Sequence, residues 1–179
     1  MLKKVLSIIL AAVLMFTMVP FVFAAAKPKL TVSSATANPG DTITLSVAIS
    51  NNPGINSFTL GFSYDETKLK LKDVKVEKSL GGQFVYKKKA VWLASQDTKY
   101  NGDILYLKFK VLDEAANSET KVKVTYSPGD IVNYAEKDVN PTVVPGTVTV
   151  SGTKTSFWAK IVAALKNILA KITGIFSRS

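Results

Sequence analysis

The chain has 179 residues, 47% of them hydrophobic, a formal charge of +10, and neither cysteine nor histidine. Without cysteine there is no disulfide framework, no lipidated thiol and no thiolate metal site; without histidine the commonest catalytic base and imidazole ligation are also gone. That leaves room for one domain with a substantial core and argues against an enzyme.

The first 26 residues read as a secretory signal peptide: Lys3 and Lys4, an apolar run from Val5 to Val19, then Pro20 and the small residues Ala24, Ala25 and Ala26. Cleavage is expected after Ala26, with Ala24 as the alternative, which makes the mature protein secreted. A basic exported chain meets anionic cell envelope or an acidic partner, not nucleic acid.

From residue 27 to residue 150 the pattern is short alternating runs broken by Gly, Pro, Asn and Asp, which predicts an antiparallel sandwich. Leu30 and Val32 open it. Ile43, Leu45, Val47 and Ile49 share a face between turns at Asn38-Pro39-Gly40 and Asn52-Pro53-Gly54. Phe58, Leu60 and Phe62 alternate with Ser57, Thr59, Gly61 and Ser63, giving one core face and one wet face. Leu69 and Leu71 are out of phase with Val74 and Val76, so a bulge is expected at Lys72-Asp73. "GGQFVYKKKAVWLASQ" reads as a hairpin with Lys87, Lys88 and Lys89 at its tip. Strands at Ile104–Val111, around Val122 and Val124, and at Gly146–Val150 complete about eight or nine, enough for two packed sheets.

After a polar linker, residues 151–156, the composition changes. On a helix of about 100° per residue, Trp158, Ile161, Val162, Leu165, Ile168, Leu169, Ile172, Ile175 and Phe176 form one stripe over residues 157–178. Lys160, Asn167, Lys171 and Arg178 lie opposite, and Ser156 can cap the start. A lysine at the centre of a spanning helix costs about 2.5–3.5 kcal/mol, whereas the membrane interface buries the same stripe without that cost. The tail therefore predicts peripheral membrane contact, with docking on the sandwich or on another protein as the alternative. The linker reaches at most about 20 Å at full extension, so it would hold the domain close to whatever the tail binds.

Three stretches carry a family likeness: "TANPGDTITLSVAISNNPGINSFTLGFSYDETKLKL", "NGDILYLKFKVLDEA" and "VVPGTVTV". Gly40-Asp41 opening a strand, the string from Gly54 to Leu71 and the string from Gly102 to Val111 resemble, in order and spacing, the cohesin domains of bacterial cellulosomes. The resemblance spans Leu30 to Val150 and implies a non-catalytic jelly-roll β-sandwich that binds dockerin modules, typically on polysaccharide-degrading enzymes.

It further implies a partner-binding sheet face formed by Ser57 and Thr59 on one strand and Phe84, Val91, Leu93 and Gln96 on its neighbour. Ser57, Thr59 and Gln96 stand where the best-known members carry Asn, Asp or Glu, which weakens charge-assisted bonds to a partner's Lys or Arg and implies a different dockerin. The segment from Glu77 to Gln83 is also compressed. No metal or cofactor is expected in this chain, since in the family the calcium belongs to the dockerin.

If Trp92 and Ala94 face the core, Val91 and Leu93 form an exposed apolar patch; the reverse phase would bury them. Glu66 and Glu114 do not read as an acid pair for glycoside hydrolysis. Two other readings compete: a carbohydrate-binding sandwich, which needs a row of exposed aromatics from Trp92, Tyr100 and Tyr106, and a released membrane-active tail. The leading expectation is a cohesin-like module that captures dockerin-bearing proteins and is tethered at the cell surface by Trp158, Lys160, Ile161, Leu165, Ile168, Leu169, Lys171, Ile172 and Phe176.

Overall fold

The computed structural model of the chain describes residues 26–152, 162 and 165–169. Residues 1–25 of the expected signal peptide, and from the tail Trp158, Lys160, Ile161, Lys171, Ile172 and Phe176, lie outside the described residues.

Twelve strands among the described residues form a two-sheet sandwich. The first sheet holds β1 (Lys29–Val32), β3 (Thr42–Ser50), β5 (Leu69–Val76), β8 (Gly102–Val111) and β11 (Thr142–Val144), in the order β11-β1-β3-β8-β5. The second runs β2-β12-β9-β4-β7-β6, from β2 (Ala35–Ala37), β12 (Gly146–Val150), β9 (Ser118–Thr125), β4 (Ile55–Ser63), β7 (Ala90–Thr98) and β6 (Gln83–Tyr86). A short β10 (Ile131–Val132) also pairs with β4.

The expected eight or nine strands fall short because β2, β10 and β11 are only two or three residues long, too short for alternation to register. The opening run "KLTVSSA" also divides. Its first half joins the first sheet as β1 and its second half joins the other as β2. Two serines make the crossing. Ser33 donates its N–H to the Ser46 carbonyl and accepts the Ser46 N–H on its hydroxyl, while the Ser34 hydroxyl accepts the Thr147 N–H. Here Gly146 approaches so closely that a Cβ would lie 2.1 Å from the Ser33 carbonyl oxygen. The bulge expected at Lys72-Asp73 is present, with the β5–β8 register shifting between Leu71 and Asp73.

The core fills the space between the sheets with the residues that alternation assigned inward. Leu45, Val47 and Ile49 of β3, Phe58 and Leu60 of β4, and Leu105, Leu107, Phe109 and Val111 of β8 are all buried. At the centre Phe58 stacks on Trp92 with ring centroids 5.3 Å apart, an arrangement worth about 0.5–1.5 kcal/mol beyond the area it buries. The Trp92 indole N–H donates to the Gly81 carbonyl at 2.8 Å, so this buried donor is satisfied.

Candidate functional site

The register of the second sheet determines which side chains share its outer face, because residues directly opposite on neighbouring strands point the same way. One row runs Gln83 of β6, Leu93 of β7, Ser57 of β4 and Val132 of β10. The next runs Val85, Val91 and Thr59, and the Thr59 N–H donates to the Asp130 carbonyl at 2.7 Å just before β10. With strands about 4.8 Å apart, the two rows make a continuous surface.

The phase of β7 is the one that exposes the patch. Trp92 is fully buried, while Val91 is 43%, Leu93 53% and Val85 56% exposed. Three large apolar side chains thus adjoin in open solvent beside the half-buried Ser57 and Thr59, an apolar centre with a polar surround.

Four of the six residues implied by the resemblance are brought together: Ser57, Thr59, Val91 and Leu93. Phe84 does not join them. It lies opposite Trp92 in the register, so its ring turns inward and packs against the core as a support of the patch. Gln96 is exposed but lies where the β4–β7 register shifts, between the pairs Ile55–Thr98 and Ser57–Leu93, and so belongs to neither row.

Val85 and Tyr134 were missed by sequence reasoning. Val85 was legible in principle, since a hairpin closing Tyr86 on Ala90 puts Val85 beside Val91. Tyr134 carried no signal: it is a lone aromatic in a turn-rich segment, yet it is 68% exposed, and its backbone N–H donates to the Asp97 carboxylate at 2.7 Å, tying the β10 loop to the end of β7.

Several local devices hold this face. Gly81 and Gly82 have φ of 61° and 73°, and a Cβ on Gly82 would lie 2.4 Å from the Leu93 carbonyl oxygen, so this turn lets β6 close tightly against β7. The buried Asn52 donates to the Thr98 and Tyr100 carbonyls and accepts the Gly54 N–H, which pins the start of β4 to the end of β7. Lys89 reaches Asp130 at 3.6 Å, and Asp130 also accepts the Ser127 N–H. Continuing the β4–β7 register sets Lys89 beside Gly61, where a Cβ would meet the Thr125 hydroxyl oxygen of β9 at 2.7 Å.

Among the described residues no three His, Cys, Asp or Glu side chains gather as a metal site would require. Trp92 is in the core, Tyr100 is half-buried against Gly102, and Tyr106 sits on the other sheet with its hydroxyl bonded to Glu77, so these three aromatics form no sugar-stacking platform.

A family model described as "Cohesin domain" matches residues 28–150. No curated protein matches the chain. Among solved structures, a cohesin from Clostridium acetobutylicum is 22% identical, with a TM-score of 0.59, covering 72% of this chain and 93% of its own. A non-cellulosomal cohesin from the hyperthermophilic archaeon Archaeoglobus fulgidus is 22% identical, with a TM-score of 0.60, covering 71% and 93%. The structure of a type I cohesin–dockerin complex from Clostridium thermocellum matches at 18% identity and a TM-score of 0.61, covering 72% and 97%. At these identities the likeness is one of fold, and it agrees with the family match over the whole sandwich. Residues 28–150 are a cohesin domain, and the chain belongs to that family.

Proposed function

We propose that this cohesin is a non-catalytic docking module whose outer β6-β7-β4-β10 face binds a dockerin-bearing protein. The observation that carries the reading is the cluster of Val85, Val91 and Leu93, exposed together beside Ser57 and Thr59. Apolar side chains left in water on a rigid sheet favour burial by a partner, and similar structures include cohesins solved with dockerins. Tyr134 at one end and Lys89 at the other extend the contact. Ser57, Thr59 and Gln96 offer neutral bonds, so the partner presents an apolar surface with few charges aimed at β4. Calcium, where it takes part, is carried by the dockerin.

Export and tethering belong to the same proposal. The first 26 residues are read as the export signal, and the tail as a cationic helix lying in the membrane interface. Among the described residues no helix is long and apolar enough to cross a membrane. Leu165–Leu169 are helical, and Leu165, Ile168 and Leu169 are 57%, 54% and 64% exposed, which supports a helix with apolar surface to offer.

The test is affinity capture of the secreted proteins of the source organism on the chain from Lys27 to Ser179, with and without calcium. Recovery of dockerin-bearing proteins that chelator releases is expected. If no such protein is retained while the captured chain remains folded, the docking proposal fails.

A further inference from the structure

The outer face of the first sheet is as distinctive as the site, and of opposite character. Its register sets Lys70 of β5 directly opposite Lys110 of β8, and the next rows add Lys108 opposite Asp73 and Tyr106 opposite Lys75. Lys29 extends the face on β1, and Lys72 stands out in the β5 bulge. Asp73, and Asp103 at the far end of β8 opposite Ala48, are the carboxylates in these strand rows, and Lys75 lies 3.6 Å from Asp73. Glu77 at the rim already accepts the Tyr106 hydroxyl at 2.8 Å. A directly opposed lysine pair costs stability unless an anion lies over it, and the face as a whole is complementary to a negative surface.

The exit of the chain joins this face to the tail. Beyond β12 the Ser151 N–H donates to the Ala37 carbonyl at 2.9 Å, and Gly152 is so close to the next turn that a Cβ there would lie 3.2 Å from the Asn38 Oδ1. That same turn continues to Gly40, whose carbonyl accepts the Lys110 ammonium. The tail thus departs at the Lys110 end of the lysine face. It carries Lys154, Lys160, Lys166, Lys171 and Arg178 and no acidic residue, so like charge disfavours it as a cover for that face. A second copy of the same face is disfavoured for the same reason.

We infer that the lysine face of the first sheet is a second membrane contact, lying against anionic phospholipid headgroups when the tail inserts beside it. This rests on the tail reading above. Its consequence is orientation: with the first sheet against the bilayer, the Val85, Val91 and Leu93 patch on the opposite sheet faces outward to its partner.

The test is cosedimentation of the chain from Lys27 to Ser179 with phosphatidylcholine vesicles, with and without about one-third phosphatidylglycerol. At roughly five-fold per lysine near an anionic surface, the variant Lys70→Gln/Lys75→Gln/Lys108→Gln should lose about 100-fold in affinity for the anionic vesicles at low salt. It should be unchanged on neutral ones. A control of identical charge on the second sheet and its hairpin tip, Lys87→Gln/Lys121→Gln/Lys123→Gln, should lose less than about five-fold. Equal losses by the two variants would reduce the effect to net charge and overturn the inference. So would binding of the parent to soluble polyphosphate as tightly as to vesicles, which would assign the face to a wall polymer. Leu165→Asp/Leu169→Asp should abolish binding to both vesicle types; if it does not, the tail reading fails, while the comparison of the two lysine variants still decides the lysine face.

Discussion

Leu93→Asp separates docking from folding more sharply than any other single change at this surface. Leu93 is 53% exposed, so about half of its apolar surface is available for a partner to cover. Full burial of a leucine contributes about 1.5–3 kcal/mol, which makes the available share about 1 kcal/mol. An aspartate at the same point forfeits that share and adds about 2 kcal/mol for desolvating a carboxylate against Val85 and Val91 without a partner charge. The total of about 3 kcal/mol is a loss of roughly 150-fold in affinity. The folded state loses little, because an exposed strand position away from the core changes stability by about 0.5 kcal/mol. Isothermal calorimetry against a captured dockerin protein, beside urea unfolding of the free variant, measures both quantities. A variant that binds within three-fold of the parent while equally stable would refute the assignment of this face. Phe84→Ala should behave in the converse way, lowering stability through the core it packs on.

Three further predictions concern the scaffold. Gly82→Ala should destabilise the domain by about 2 kcal/mol or more in urea unfolding, because the added Cβ meets the Leu93 carbonyl oxygen at 2.4 Å and φ is +73°. Asn52→Ala removes three side-chain hydrogen bonds at a buried position and should cost about 3 kcal/mol, with amide exchange accelerating first at Gly54 and Tyr100. The Tyr106 phenol is pushed up to about 12, first by the hydrogen bond it donates to Glu77 and then by burial, and the same bond leads the causes that hold Glu77 below its ordinary value. Stability from the raised phenol is therefore intact below the ordinary tyrosine value of 10.0 and is lost as pH rises from there through about 12. Stability from the lowered carboxyl is intact above the ordinary glutamate value of 4.5 and is lost as pH falls through its folded pKa. Glu77→Gln should bring the phenol back toward its ordinary value in an ultraviolet titration, and an unmoved Tyr106 would refute the coupling.

Alternation of side chains along a strand is a local property, so the sequence alone determined the all-β class and most of the core. Phe58, Leu60, Leu107 and Phe109 needed no partner strand to be recognised as inward, whereas alternation left the phase of Trp92 open and only the fold buried it. The missing cysteine and histidine likewise exclude disulfides, thiolate ligands and imidazole chemistry from the sequence alone. Alternation cannot say which residue on another strand stands opposite, because that depends on hairpin closure and bulges elsewhere. Hence Phe84 was grouped with the docking residues although it backs Trp92, and Val85, its neighbour with the opposite phase, was passed over. The two-residue β10, which brings Val132 and Asp130 to the edge of Ser57 and Thr59, is too short to show any period. Tyr134 owes its place to a loop tied through Asp97. The opposed character of the two outer faces, apolar on one sheet and lysine-lined on the other, likewise exists only once register sets separate strands side by side.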